Sequence, residues 1–271
     1  MVIYEKKYIF NAKGGFVMID IHSHILPGID DGAMDEQLSI AMAKQAVAEG
    51  IHTIIATPHH KNGQFENKKE FILQQVEELN EIFSRESVPL TVLPGQELRI
   101  NGDVLADYEA GEILTLNQTQ YVFIEFSSGH VPRYAEQLLY DIQLRGLTPI
   151  IVHPERNQEL ITNPDLLYQF VEKGALTQVT AASITGGFGK KIKKFSHQLI
   201  EANLTHFIAS DAHNITSRSF NMQGAYSEIE MEFGKSVVYL LMENAELLVE
   251  GKQIYKEMPQ KVKTKKFLGL F

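Results

Sequence analysis

The chain has 271 residues, 44% of them hydrophobic and 22% charged, with a formal net charge of -9 and no cysteine. That length holds one large domain or two small ones, and the acidic balance speaks against a nucleic-acid partner, which needs a basic footprint. Without cysteine there is no disulfide framework and no thiolate to serve as nucleophile or metal ligand.

The opening stretch MVIYEKKYIFNAKGG has no apolar secretory core, and no run approaches the roughly 18 to 20 apolar residues that span a bilayer. A cytoplasmic protein is the expectation. KGGFVM reads as a purine-rich ribosome-binding sequence that has been translated, so Met18 is the expected natural start. Residues 1–17 are then a non-native or flexible extension.

From there the chain alternates short apolar runs with longer amphipathic ones. VMIDI reads as the first strand, and 35–49 as a helix carrying Leu38, Ile40, Met42, Ala46 and Val47, with Gly50 placed to end it. HTIIAT is the second strand, followed by a helix over 68–83 that repeats Phe71, Ile72, Val76, Leu79 and Ile82. LTVLPG and QYVFIEF come next, then a helix over 132–144 and the strand TPIIVH. Helices over 164–171 and 190–202 bracket LTQVTA, THFIAS is the seventh strand, and 225–249 reads as two closing helices. The strands are brief, β-branched and bounded by turn residues. Several read as continuous apolar runs rather than strict alternation, as parallel strands covered on both faces do. Seven strands alternating with helices predict an α/β fold, and a closed barrel rather than an open sheet.

The reason to prefer a barrel is where the polar residues fall. The first strand ends in His22 and His24, the second in His59 and His60, the third in Glu97 and the fourth in Glu125. The fifth ends in HPER, with His153 and Arg156, and the seventh in SDAH, with Asp211 and His213. In a parallel barrel all these ends meet at one face, where catalytic residues gather. Side chains two apart on a strand point the same way, so His22 with His24, and Asp211 with His213, can address one ion. A single His-x-His is weak evidence; six of seven strands ending in imidazole or carboxylate is not explained by packing.

Five imidazoles (His22, His24, His59, His153, His213) and three carboxylates (Glu97, Glu125, Asp211) exceed what one ion takes. They suit two or three divalent ions, and mixed nitrogen and oxygen donors without sulfur fit manganese, iron or zinc. Three such ions, set against three carboxylates and a hydroxide, leave an excess of about two positive charges. Arg156 and Arg218 can add two more and offer forked donors to phosphate oxygens. A phosphate monoester is the substrate this balance attracts.

The motifs DIHSHILPGIDDGA, IIATPHH, LPGQELRI, IEF, HVPRYAEQL, IVHPERN and ASDAHN closely resemble the PHP-domain protein-tyrosine phosphatases of Gram-positive capsule and exopolysaccharide operons. The resemblance runs from about Met18 to the C-terminus. It implies a distorted (β/α)7 barrel with a metal cluster, commonly of manganese, at its mouth. It implies His22, His24, His59, Glu97, Glu125, His153, Asp211 and His213 as ligands, Arg156 and Arg218 as phosphate contacts, and Asp31 as an acid near the site. His60 has no assigned role. The implied reaction is in-line attack of a metal-bound hydroxide on phosphotyrosine, the substrate being a bacterial tyrosine kinase that controls polysaccharide synthesis. Rival readings are a histidinol-phosphate type phosphatase, a nuclease, an amidohydrolase, and a metal-dependent binder without turnover.

The expected organisation is one domain over 18–255 and a tail over 256–271. The tail ends KVKTKKFLGLF, and a weak contact with an anionic membrane surface is one reading of its lysines; a loosely docked terminus is the other. Homo-oligomerisation is left open.

Overall fold

A computed structural model describes residues 18–263. The extension over 1–17 and the end of the tail over 264–271 lie outside the described residues.

Among the described residues the strands are β1 (Met18–Ser23), β2 (Ile51–Ala56), β3 (His59–His60), β4 (Thr91–Pro94), β5 (Glu97–Arg99), β6 (Tyr121–Glu125), β7 (Thr148–Val152), β8 (Leu176–Thr180) and β9 (Phe207–Ala209). They form two parallel sets, β1-β2-β4 and β3-β5-β6-β7-β8-β9. All seven expected runs are strands, and the two additional ones are continuations. Thr57 and Pro58 interrupt the run from β2 to β3, and Gly95 and Gln96 the run from β4 to β5. Pro58 has no N–H to donate. At Gly95 a side chain has no room, because a Cβ there would lie 2.6 Å from Ile55 Cγ2.

The helices are α1 (Glu36–Glu49), α2 (Lys69–Arg85), α3 (Val104–Glu109), α4 (Ala135–Leu144), α5 (Gln158–Thr162), α6 (Pro164–Glu172), α7 (Ala181–Thr185), α8 (Lys190–Glu201), α9 (Met222–Phe233) and α10 (Lys235–Val249). α1 shows why its sequence starts and stops where it does. Asp35 caps it by accepting from Leu38 N at 2.8 Å, and Gly50 closes it in the left-handed region at φ 94. α4 starts later than its periodicity suggests, because residues 132–134 form a turn in which Ala135 N donates to Pro132 O.

The continuous apolar strands have a structural counterpart. Alternate residues enter two separate cores: Ile54, Val122, Ile124, Ile151 and Ile208 face the helices, whereas Ile55, Phe123, Ile150, Val152 and Phe207 form an inner cluster. Both faces are therefore buried, as apolar parallel strands require. Ala245 and Leu248 of α10, with Ile254, join the inner cluster where Tyr121, Leu176 and Phe207 stand at the beginnings of strands. α10 thus packs at the end opposite the strand C-termini.

β1 is also tied to the segment after β9. Asp211 N donates to His22 O and His24 N to Ala212 O, each at 2.9 Å, and Ser23 pairs with Ala212 in parallel. Beneath them lies the fully buried Asp20. Its Oδ1 accepts from Ser210 N at 2.9 Å and its Oδ2 from Ser210 Oγ at 2.5 Å. Burial pushes its carboxyl up to about 6.

No described helix is long and apolar enough to cross a membrane. After α10 the chain runs without helix or strand but stays on the body. Gln260 N donates to Ala202 O at 2.8 Å, Val262 is buried in the outer core, and Lys261 and Lys263 pair with Asp165 and Glu201.

Candidate metal centre

Three features of the local sequence fix the first two histidines. β1 sends His22 and His24 to the same side. The loop over 25–33 then folds back on itself, with Ala33 N donating to His24 O at 3.0 Å and Gly28 N to Ala33 O at 2.7 Å. Gly32 is pressed against His24: a Cβ there would stand 2.1 Å from its carbonyl oxygen, so only glycine fits.

The ring nitrogens are sorted by their partners. His22 Nδ1 donates to Gln178 Oε1 at 2.9 Å, His24 Nδ1 to Asp30 Oδ2 at 2.7 Å, and His213 Nδ1 to Asp211 O at 2.9 Å. Each anchor accepts only, so the proton sits on Nδ1 and Nε2 carries the free lone pair in the neutral ring. Those three Nε2 atoms are buried without a hydrogen-bond partner, as are His59 Nδ1 and Glu97 Oε2.

The unpartnered atoms face one another. His22 Nε2 lies 3.5 Å from both Glu97 Oε2 and Asp211 Oδ1, and His24 Nε2 lies 3.4 Å from the same two oxygens. His59 Nδ1 is 2.8 Å from Glu97 Oε2 and 3.8 Å from Glu125 Oε2. Asp31 Oδ1 sits 3.3 Å from His59 Nε2 and 3.4 Å from His213 Nε2. His153 Nε2 meets Glu97 Oε1 at 2.8 Å. Three overlapping groups have ligand atoms within 4.8 Å of one another: His22, His24 and Asp211; His59, Glu97 and Glu125; and His24, Asp31, His59 and His213. His153 borders the second group, and His60 belongs to none.

The electrostatics are those of a crowded anionic pocket. Burial opposes ionisation of Glu97, but His22 and His59 outweigh it and hold the carboxyl well below its ordinary range. Burial and the Glu97 charge push Glu125 up to about 7. Burial disfavours a charged His59, yet Glu97 and Asp31 push it up to about 9. His153 falls to about 4 through burial and Arg156, and His213 to about 4 through burial and His24.

Two arginines close one side. Arg156 Nη1 donates to Asp211 Oδ2 at 2.5 Å and Arg218 Nη2 to the same oxygen at 3.1 Å. Special backbone lies close by. His153 (φ 34) and Asp211 (φ 53) are left-handed, a conformation costing a non-glycine residue roughly 1–2 kcal/mol. His153 leads directly into the tight turn Pro154–Arg156 that carries the arginine.

The structure brings together every residue expected at the site: His22, His24, His59, Glu97, Glu125, His153, Asp211, His213, Asp31, Arg156 and Arg218. It adds Asp30, Gln178 and Arg99, whose Nη2 lies 3.0 Å from Glu125 Oε2. Asp30 is hidden in a sequence that reads as turn chemistry. Gln178 carries a visible signal, an amide at the middle of a fully buried strand that ends in neither imidazole nor carboxylate.

Comparison with known proteins gives a consistent picture. The family model described as capsular polysaccharide synthesis, CpsB/CapC, matches residues 18–250. The tyrosine-protein phosphatase YwqE of Bacillus subtilis is 54% identical over 254 residues, covering 94% of this chain and 100% of that protein. The tyrosine-protein phosphatase CpsB of Streptococcus pneumoniae is 34% identical, covering 86% and 98%. A solved structure from work on YwqE and CpsB, described there as unique metal-dependent tyrosine phosphatases, superposes with a TM-score of 0.89 at 54% identity, covering 91% of this chain and all of that one. An organophosphorus hydrolase variant of Deinococcus radiodurans matches at TM-score 0.52 and 13% identity, covering 92% and 100%, a likeness of fold alone.

Proposed function

The chain belongs to the CpsB/CapC capsular polysaccharide synthesis family, and we propose that it hydrolyses phosphotyrosine at a divalent-cation centre built from His22, His24, His59, Glu97, Glu125, His153, Asp211 and His213. The observation that carries this reading is the knot of buried ring nitrogens and carboxylate oxygen left without hydrogen-bond partners. Each such group costs about 1–3 kcal/mol if nothing satisfies it, and a cation satisfies several at once.

Asp31 joins the holding set, since it stands between His59 and His213. A neutral imidazole offers one lone pair, so His24 and His59 would each serve one group only, and the set would suit two or three ions. Nitrogen and oxygen donors without sulfur suit manganese, iron and zinc, and manganese is the resident expected from the family resemblance. Bound divalent cations polarise phosphoryl oxygens and bring the pKa of water near 7. Arg156 and Arg218 hold the phosphoryl group: each spends one arm on Asp211 and keeps other donors for phosphate oxygens. His22, His24 and His213 are oriented through their Nδ1 anchors. The substrate in this reading is a phosphotyrosine-bearing tyrosine kinase of capsule or exopolysaccharide synthesis.

Closure of the strands into a distorted seven-stranded barrel is part of the same proposal. It is supported by the hydrogen bonds from β1 to the residues after β9 and by the separate inner core.

The test is metal analysis with an assay on phosphotyrosine peptide, histidinol phosphate and oligonucleotide in parallel. Turnover of the peptide should vanish on chelation and return with Mn2+. Full peptide turnover in rigorously metal-free protein would defeat the reading.

A further inference from the structure

The reaction proposed above leaves one cluster of cations unused. In a chain of net charge -9, Lys190, Lys191, Lys193 and Lys194 crowd the beginning of α8, where the helix macrodipole disfavours positive charge. Glu228 holds Lys193 at 2.5 Å. Lys190, Lys191 and Lys194 form no ion pair with a carboxylate among the described residues, whereas Lys61, Lys68, Lys173, Lys252, Lys261 and Lys263 each do. Charges kept together against the dipole, without partners of their own, are suited to a partner from outside.

Their place in the fold says which one. β8 ends at the face that carries the candidate centre, α7 follows, and a turn over 186–189 starts α8 at that same face. Phe188, two residues before Lys190, is the link: its ring centroid lies 5.2 Å from the guanidinium carbon of Arg156, which reaches Asp211. The first turn of α8 therefore begins beside the arginine that would hold the phosphate. From Phe188 to Lys190 is within the ~7 Å that two extended residues span, so a peptide bound by its phosphate reaches these lysines with its neighbouring residues. Lysine is a mobile, hydrated point charge, fitted to a variable acidic flank rather than to one fixed geometry.

Resting on the reading of this chain as a phosphotyrosine phosphatase, we propose that Lys190, Lys191 and Lys194 dock the polypeptide flanking the scissile phosphotyrosine and select flanks that are acidic.

The test uses the full-length, metal-loaded protein and two phosphotyrosine peptides, identical except that glutamates flank the phosphotyrosine in one and glutamines in the other. The triple variant K190Q/K191Q/K194Q should raise KM for the acidic peptide about fivefold to tenfold, as three exposed charge pairs would. Its kcat and its KM for the neutral peptide should stay put, and the difference should fade at high salt. Lys191→Glu, a single exposed change, should shift the acidic peptide the same way. Equal KM changes for both peptides, or none for the acidic one, would overturn the proposal. So would lost binding to anionic phospholipid vesicles with peptide kinetics unchanged, which would give the lysines to a lipid surface. If the wild-type protein turns over neither peptide, the phosphatase reading itself fails, a result distinct from hydrolysis of both with equal KM.

Discussion

Asp30 Oδ2 lies 2.7 Å from Nδ1 of His24, and the same carboxylate accepts from Gly32 N at 2.9 Å and His59 N at 3.2 Å. One buried side chain thereby fixes a ring, the loop that covers it, and the start of β3. Replacing Asp30 with Ala should weaken cation binding tenfold to a hundredfold, the usual effect of removing such an anchor. Calorimetric titration of metal-free protein with Mn2+ measures it directly; an unchanged affinity would show that Gly32 and the loop suffice to hold His24.

Gly32→Ala tests the opposite side of the same histidine. A methyl 2.4 Å from His24 Cβ forces the loop or β1 to move. Displacing a catalytic group by about 1 Å can cost a hundredfold in rate, so kcat/KM on a phosphotyrosine peptide should fall by about that factor. Far-UV circular dichroism should remain that of the wild type.

Metal removal and thiol chemistry should have opposite consequences. A chain without cysteine has no thiol for iodoacetamide or peroxide to attack, so neither should inhibit through one. A chelator should abolish turnover and also lower the melting temperature. An ion that binds the folded state alone adds about 2.7 kcal/mol of stability at a hundredfold excess over its Kd. Scanning calorimetry with and without chelator reads that change.

A pH dependence away from the centre follows from His206. Burial, with the Lys256 charge nearby, pushes its imidazole down to about 3, and its Nδ1 accepts from Thr177 N at 3.1 Å. Between pH 3 and the ordinary value of 6.5 the unfolded chain binds a proton that the folded one refuses, so stability rises with pH across that window. It is complete above 6.5 and lost on acidification, with a slope from this residue of up to about 1.4 kcal/mol per pH unit. His206→Gln keeps an acceptor but cannot titrate, so its stability should fall less steeply from pH 6.5 to 4.5 in urea unfolding. Parallel curves for the two proteins would contradict the assignment.

Much of this architecture is legible in the sequence because burial on both faces leaves a plain mark. TPIIVH and THFIAS carry unbroken apolar stretches, PIIV and FIA, and each is followed by polar residues that have no reason to sit there unless the strand ends converge. Less legible is what depends on close approach across the fold. Asp30 and Asp31 are adjacent in a stretch that reads as a turn, yet one anchors His24 while the other reaches His59 and His213; only the folded loop tells them apart. Gln178 finds His22 156 positions away, a pairing no local pattern encodes. The breaks that make β3 and β5 separate strands come from Pro58 and from the contact of Gly95 with Ile55, and the latter exists only once β2 and β4 lie side by side.

The donors gathered here enter the chain at widely separated points, from His22 in β1 to His213 beyond β9. A polypeptide still emerging from the ribosome owns His22 and His24 long before it owns Asp211. The group of His59, Glu97 and Glu125 is complete in sequence by residue 125, but both groups that include His24 wait for Asp211 or His213, so the full set of donors is assembled only when translation is far advanced.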